Sequence, residues 1–164
     1  MIPVLLSVVL FVVPHGDDET TLLPLIQAAG SDAVVLVMAD GAASVHCPPT
    51  DCEAARRAST MGFLAEMAPE ATLIWVGEPD KGLTVERVAW WIGNLCPSDC
   101  AIWAAAADYN HPDHQAVREA VAMYRGRYYN GETRDDPVAE AAFLRWYGWL
   151  GPWPADRMWI VGLR

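Results

Sequence analysis

Four short stretches of the chain are apolar almost without interruption: Leu5 to Val13, Ala33 to Met38, Ala71 to Val76 and Cys100 to Ala106. They are rich in Val, Ile, Leu or small residues and lack strict alternation, the pattern of strands buried on both faces. Between them, apolar positions recur at helical spacing. Leu22, Leu25, Ile26 and Ala29 share one face, with Pro24 acceptable in a first turn and Gly30 a fitting terminator. Val85, Val88, Ile92 and Leu95 do the same behind Thr84 as N-cap, and Val117, Ala120, Val121 and Tyr124 form a third stripe. Strand, helix, strand, helix in this order predicts an α/β fold: a Rossmann-like, mostly parallel sheet with helices on both faces and right-handed crossovers. Beyond it, Arg125 to Pro137 is polar and turn-rich, a helix is expected from Val138 to Trp146, and a last strand from Met158 to Leu163.

The 164 residues suit one compact domain spanning 1–164, with a sizeable core and no repeat or long linker. A net charge of -10 and a single lysine, Lys81, argue against nucleic acid or anionic lipid as a partner, since both require a basic face. Met1 to Val13 resembles a secretory apolar region, yet no Lys or Arg precedes it and no small-residue cleavage site follows before Pro14. It is also too short to span a bilayer, so it reads as a buried first strand and the protein as soluble and cytoplasmic. The cysteines form two local pairs, Cys47 with Cys52 and Cys96 with Cys100. Free thiols are the first reading, local disulfides the second, and a four-thiolate metal site fits the spacings poorly.

Two polar segments follow predicted strands: His15-Gly16-Asp17-Asp18-Glu19 and His111-Pro112-Asp113-His114. Ligands of doubly wound sheets bind beyond the carboxyl ends of the strands, where both segments lie. A catalytic zinc takes three protein ligands and keeps one position open for water. His15, Asp18 and His114 form such a set, and Asp17 between two of them stands within reach of that water as general base. His111 can approach from the other side to stabilise an oxyanion, and Asp113 can orient a histidine. Taken singly, an Asp-Asp-Glu run is commonly a solvated helix N-terminus, and His-Pro-Asp-His a loop with satisfied imidazoles. Three of the four histidines fall inside the two segments, however, which favours a joint site.

Pro14-His15-Gly16-Asp17-Asp18-Glu19 with Asn110-His111-Pro112-Asp113-His114 resembles the paired signature of the LmbE-like, or PIG-L-like, N-acetylglucosaminyl deacetylases. The resemblance covers roughly residues 5 to 125 and implies a zinc enzyme with His15, Asp18 and His114 on the metal, Asp17 as base and His111 at the tetrahedral intermediate. It also implies a substrate-contacting tyrosine at Tyr109. Two positions depart from the pattern. Gly16 replaces the usual Pro, which is expected to loosen the turn. Thr50 stands where an Arg is expected ahead of Glu53 and Gly62; Arg56 is a candidate substitute, although Arg56 and Arg57 read first as solvated helix residues.

The expected activity is therefore metal-dependent hydrolysis removing an acetyl group from an N-acetylglucosamine-type substrate. The alternatives are an amidase acting on a thiol conjugate or antibiotic, and a sugar- or metabolite-binding module with weak turnover. Ferrous iron suits two histidines and a carboxylate as well as zinc does. Dinucleotide binding is disfavoured, because no Gly-x-Gly-x-x-Gly follows the first strand. Trp149 and Trp153 are of a type that stacks on sugars, although packing explains them equally well.

Overall fold

A computed structural model describes residues 8–44, 51–96, 100–105, 110–129 and 137–147. Five strands form one parallel sheet: β1 (Val9–Val13), β2 (Ala33–Ala39), β3 (Thr72–Glu78), β4 (Ala101–Ala105) and β5 (Arg127–Tyr129). Their spatial order is β3-β2-β1-β4-β5, and every neighbouring pair is parallel. This is the Rossmann-like α/β arrangement that the apolar pattern predicts.

The period of two along each strand divides the core into two layers. From β1 and β2, Phe11, Val13, Val35 and Val37 point to one face, where they meet α1 (Leu23–Ala29), α2 (Cys52–Met67) and α5 (Pro137–Tyr147) through Ile26, Phe63, Leu64 and Tyr147. Leu10, Val12, Leu36 and Met38 point to the other, against Val88 and Ile92 of α3 (Val85–Leu95) and Val117, Ala120 and Val121 of α4 (Pro112–Met123). Strands buried on both sides carry no polar alternation, which is why they read as continuous apolar runs. Gly30 ends α1 at φ 57, and the Thr84 hydroxyl accepts the Arg87 N–H at the start of α3.

Four expectations change. Arg127–Tyr129, inside the stretch expected to be turn-rich, adds an edge strand to β4, and the Arg127 guanidinium lies over the Trp103 ring. Tyr124 leaves the buried stripe of α4: it is half-exposed, and its hydroxyl donates to the Ala89 carbonyl at 3.0 Å. Cys96 and Cys100 are joined in a disulfide that ties the end of α3 to the start of β4, so the free-thiol reading fails for them. A Cα–Cα span of 5.7 Å makes this link compatible with ordinary disulfide geometry. Cys52 is likewise disulfide-bonded rather than free. Cys47, Thr50, Tyr109, Trp149, Trp153 and the strand expected at Met158 to Leu163 lie outside the described residues. Among the described residues, no helix is long and apolar enough to cross a membrane.

Candidate metal centre

After β3 at one edge, the chain returns through α3 to place β4 on the far side of β1. The reversal opens a crevice at the carboxyl ends of β1 and β4, the position at which parallel sheets bind ligands. The His15 segment leaves β1 into a short 3-10 turn, Asp18–Leu22, that runs into α1, and the His111 segment begins α4. The two polar segments thus arrive side by side.

Asp18 Oδ2 lies 3.5 Å from His15 Nδ1 and 3.5 Å from His114 Nε2. A tetrahedral zinc with bonds of about 2.0–2.1 Å separates its ligand atoms by about 3.3–3.4 Å, so this donor set fits one. Asp18 also accepts the His15 backbone N–H at 3.0 Å, which fixes its carboxylate. Burial opposes ionisation of Asp18, but His114 and His15 outweigh it and hold the carboxyl below its usual range.

On the far side of His15, Nε2 faces Asp113 Oδ2 at 3.0 Å and Asp80 Oδ1 at 3.2 Å. With a metal bound at Asp18 and His114, a proton kept on Nε2 would leave Nδ1 as the lone-pair donor to it. Burial lowers the affinity of His15 for a second proton, yet hydrogen bonds to Asp113, Asp18 and Asp80 prevail and push its pKa up to about 11. Asp113, fully buried, is held in turn by the N–H groups of Lys81 at 2.8 Å and Leu83 at 3.2 Å.

His111 caps α4, its Nδ1 accepting the Asp113 N–H at 3.3 Å. Nδ1 is therefore unprotonated, and burial followed by the nearby His15 lowers the pKa and keeps the ring neutral. Its proton sits on Nε2, 3.8 Å from Asp80 Oδ1. The ring centroids of His15 and His111 are 4.7 Å apart, and those of His111 and His114 are 5.5 Å apart.

Asp17 has a backbone that an L-residue rarely adopts, with φ 131 and ψ -29. Its N–H donates to Glu19 Oε2 at 2.8 Å, and its carbonyl accepts from the Thr20 hydroxyl at 2.6 Å. Strain of this kind persists only where surrounding bonds over-determine it. Burial and the adjacent Asp18 raise the Asp17 pKa to about 6, against the opposing charge of Arg56.

Three features revise or extend the sequence reading. Glu19, to which the sequence assigned no role and whose run taken singly reads as a solvated helix start, is fully buried, bonded to the Tyr147 hydroxyl, and burial pushes its pKa up to about 8. Arg56 is buried too, whereas Arg57 is exposed. Gly16 has a steric reason that the sequence did not show: a Cβ there would collide with Thr60 Oγ1 and lie 2.9 Å from the Trp75 ring. Asp80 was missed altogether. Its signal was positional, a Pro79-Asp80-Lys81-Gly82 turn at the carboxyl end of a predicted strand, where site residues gather. The Asp40 carboxylate braces that turn by accepting the Asp80 N–H at 2.9 Å.

No family model and no curated protein matches the chain. Solved structures do. A conserved protein of Thermus thermophilus, TT1542, is 22% identical, with a TM-score of 0.62 over 88% of this chain and 81% of that one. The N,N'-diacetylchitobiose deacetylase of Pyrococcus horikoshii, crystallised with an inhibitor, is 18% identical, with a TM-score of 0.56 over 84% of this chain. The 4-carboxy-2-hydroxymuconate hydratase GalB of Pseudomonas putida is 17% identical, with a TM-score of 0.50 over 71% of this chain. The match spans 54% of the deacetylase and 56% of the hydratase. At these identities the likeness defines the fold, and a fold that carries both a deacetylase and a hydratase leaves the reaction to be argued from side chains.

Proposed function

We propose that the chain is a zinc-dependent hydrolase removing an acetyl group from the amino group of an N-acetylglucosamine-type sugar. The observation that carries this reading is the convergence of His15 Nδ1, Asp18 Oδ2 and His114 Nε2 beside a half-buried carboxylate, Asp17, whose pKa of about 6 suits a general base. Zinc bound by His15, Asp18 and His114 would activate water and polarise the amide carbonyl. Asp17 takes the proton of the attacking water and returns it to the departing amine. His111, neutral and with Nε2–H available, donates to the developing oxyanion. His15 is kept in its donor tautomer by Asp113 and Asp80. Tyr109, by resemblance, contacts the substrate carbonyl. The deacetylase neighbour supports the choice of an acetylated amino sugar.

The test is amine release from N-acetylglucosamine and N,N'-diacetylchitobiose by zinc-loaded wild type and Asp17→Asn. The variant should retain about one metal per chain and lose at least about 100-fold in kcat. Equal turnover by the two proteins removes Asp17 from the mechanism. Release of amine only from non-sugar acyl amides would select the amidase alternative.

A further inference from the structure

Along α2 the buried face runs Arg56, Ser59, Thr60, Phe63, Leu64 and Met67. The last three residues enter the core, and the first three carry the same face toward the crevice as a polar strip. Arg56 is 6% exposed, and its stem packs on Gly41, where a Cβ would come within 2.7 Å of Cδ. Among the described residues, its Nε has no hydrogen-bond partner. Its Nη1 donates to the Gly16 carbonyl at 3.1 Å and lies 3.5 Å from Asp17 Oδ1.

Burying a guanidinium is costly unless its charge is paired, so its partner is the informative contact. Among the described residues, the carboxylate paired with Arg56 is that of Asp17. The contacts at Gly16 and Asp17 grip the loop at two successive residues, one through the backbone and one through the side chain. The contact engages Oδ1, so the other carboxylate oxygen is the one this arrangement offers to a proton. Asp17 therefore has two supports: Glu19 fixes its backbone amide and Arg56 its carboxylate.

We infer that Arg56 is a positioning residue for the Asp17 base, supplying a cation to the catalytic loop from α2 although Thr50 occupies the position where the resemblance expects an arginine. This rests on the function proposed above. Asp17 has no other cation of fixed charge paired with it among the described residues, so losing Arg56 leaves the carboxylate free to turn away or to pair with the histidines.

The experiment compares Arg56→Met, Arg56→Lys, Arg56→Ala and Asp17→Asn for zinc content, kcat and KM on N,N'-diacetylchitobiose. Arg56→Met should keep its zinc and lose at least about tenfold in kcat with KM within about twofold. Arg56→Lys, which keeps the charge, should retain more activity, and added guanidinium should rescue Arg56→Ala at least about threefold. Asp17→Asn combined with Arg56→Met should be no slower than Asp17→Asn alone. Unchanged kcat, a loss confined to KM, or an additive double variant overturns the inference while leaving the Asp17 assignment standing. If Arg56→Met does not fold, Arg56→Lys and the rescue decide. A readout independent of turnover is the exchange of the Arg56 side-chain N–H groups by 1H–15N NMR. It should be slow in wild type and fast in Asp17→Asn. Equal exchange in the two proteins overturns the contact, even if wild type proves inactive on every acetylated sugar and the proposed function fails.

Discussion

Asp113 Oδ2 lies 3.0 Å from His15 Nε2, joining the two polar segments across ninety-eight residues of chain. The same carboxylate accepts N–H groups from Lys81 and Leu83, so it ties the loop after β3 to the histidine after β1. A carboxylate behind a metal-binding imidazole fixes its tautomer and raises its basicity, and its loss commonly reduces metal affinity about 10–100-fold. Asp113→Ala should show a reduction of that size in competition with a chromophoric chelator. Wild-type affinity in the variant would mean that Asp80 alone orients His15.

Zinc uptake should release protons. In the metal-free protein His15 remains charged at neutral pH, its pKa pushed up to about 11, while Asp18 is already ionised. A metal on Nδ1 requires a neutral ring, so about one proton leaves per zinc bound near pH 7, and affinity rises about tenfold per pH unit in this range. Calorimetry in buffers of different ionisation enthalpy counts that proton directly. A count near zero would mean that His15 is already neutral before the metal binds or takes no part in binding it.

Parts of this arrangement were legible in the sequence because they rest on local pattern. Strands buried on both faces write themselves as apolar runs, and three histidines in two short segments at strand ends mark a site. The face of α2 was not legible, since Arg56, Ser59 and Thr60 are polar yet buried and cancel the amphipathic signal of Phe63, Leu64 and Met67. Asp80 and Tyr147 escaped for another reason. Each acts on the loop after β1 from far along the chain, Tyr147 from 128 residues away, and no spacing encodes that meeting. No role was legible for Glu19, because exposed and buried carboxylates look alike in a sequence.

The burial of Glu19 has a consequence for stability. Its carboxyl, with a pKa raised from 4.5 to about 8, binds a proton more tightly in the folded chain than in the unfolded one. That contribution is complete below about pH 4.5 and is lost as pH rises through about 8. Urea unfolding of the metal-free protein at pH 5 and pH 8.5 should show the decline, which on the size of this shift is of the order of a few kcal/mol. Glu19→Gln keeps a hydrogen-bonding amide and cannot ionise, so its decline should be visibly smaller. Equal declines would mean that Glu19 is charged throughout.

Gly16 gives the sharpest steric expectation. At this position Pro is the usual residue of the resembling family, yet here a Cβ would collide with Thr60 Oγ1 and come within 2.9 Å of Trp75 Cζ3. Thr60 Oγ1 is not free to retreat, because it accepts the Tyr147 hydroxyl at 2.9 Å, and Tyr147 in turn holds Glu19 behind the Asp17 amide. An added methyl therefore pushes on the same chain of contacts that supports Asp17. Gly16→Ala and Gly16→Pro should each destabilise by about 1–3 kcal/mol, a fall in Tm of several degrees for a chain of this size. Trp75→Leu gives the new atom room on one side, so combining it with Gly16→Ala should restore part of the loss, a coupling above about 0.5 kcal/mol in a double-mutant cycle. Additive losses would show that the Trp75 ring moves aside freely and that Gly16 is required by Thr60 alone.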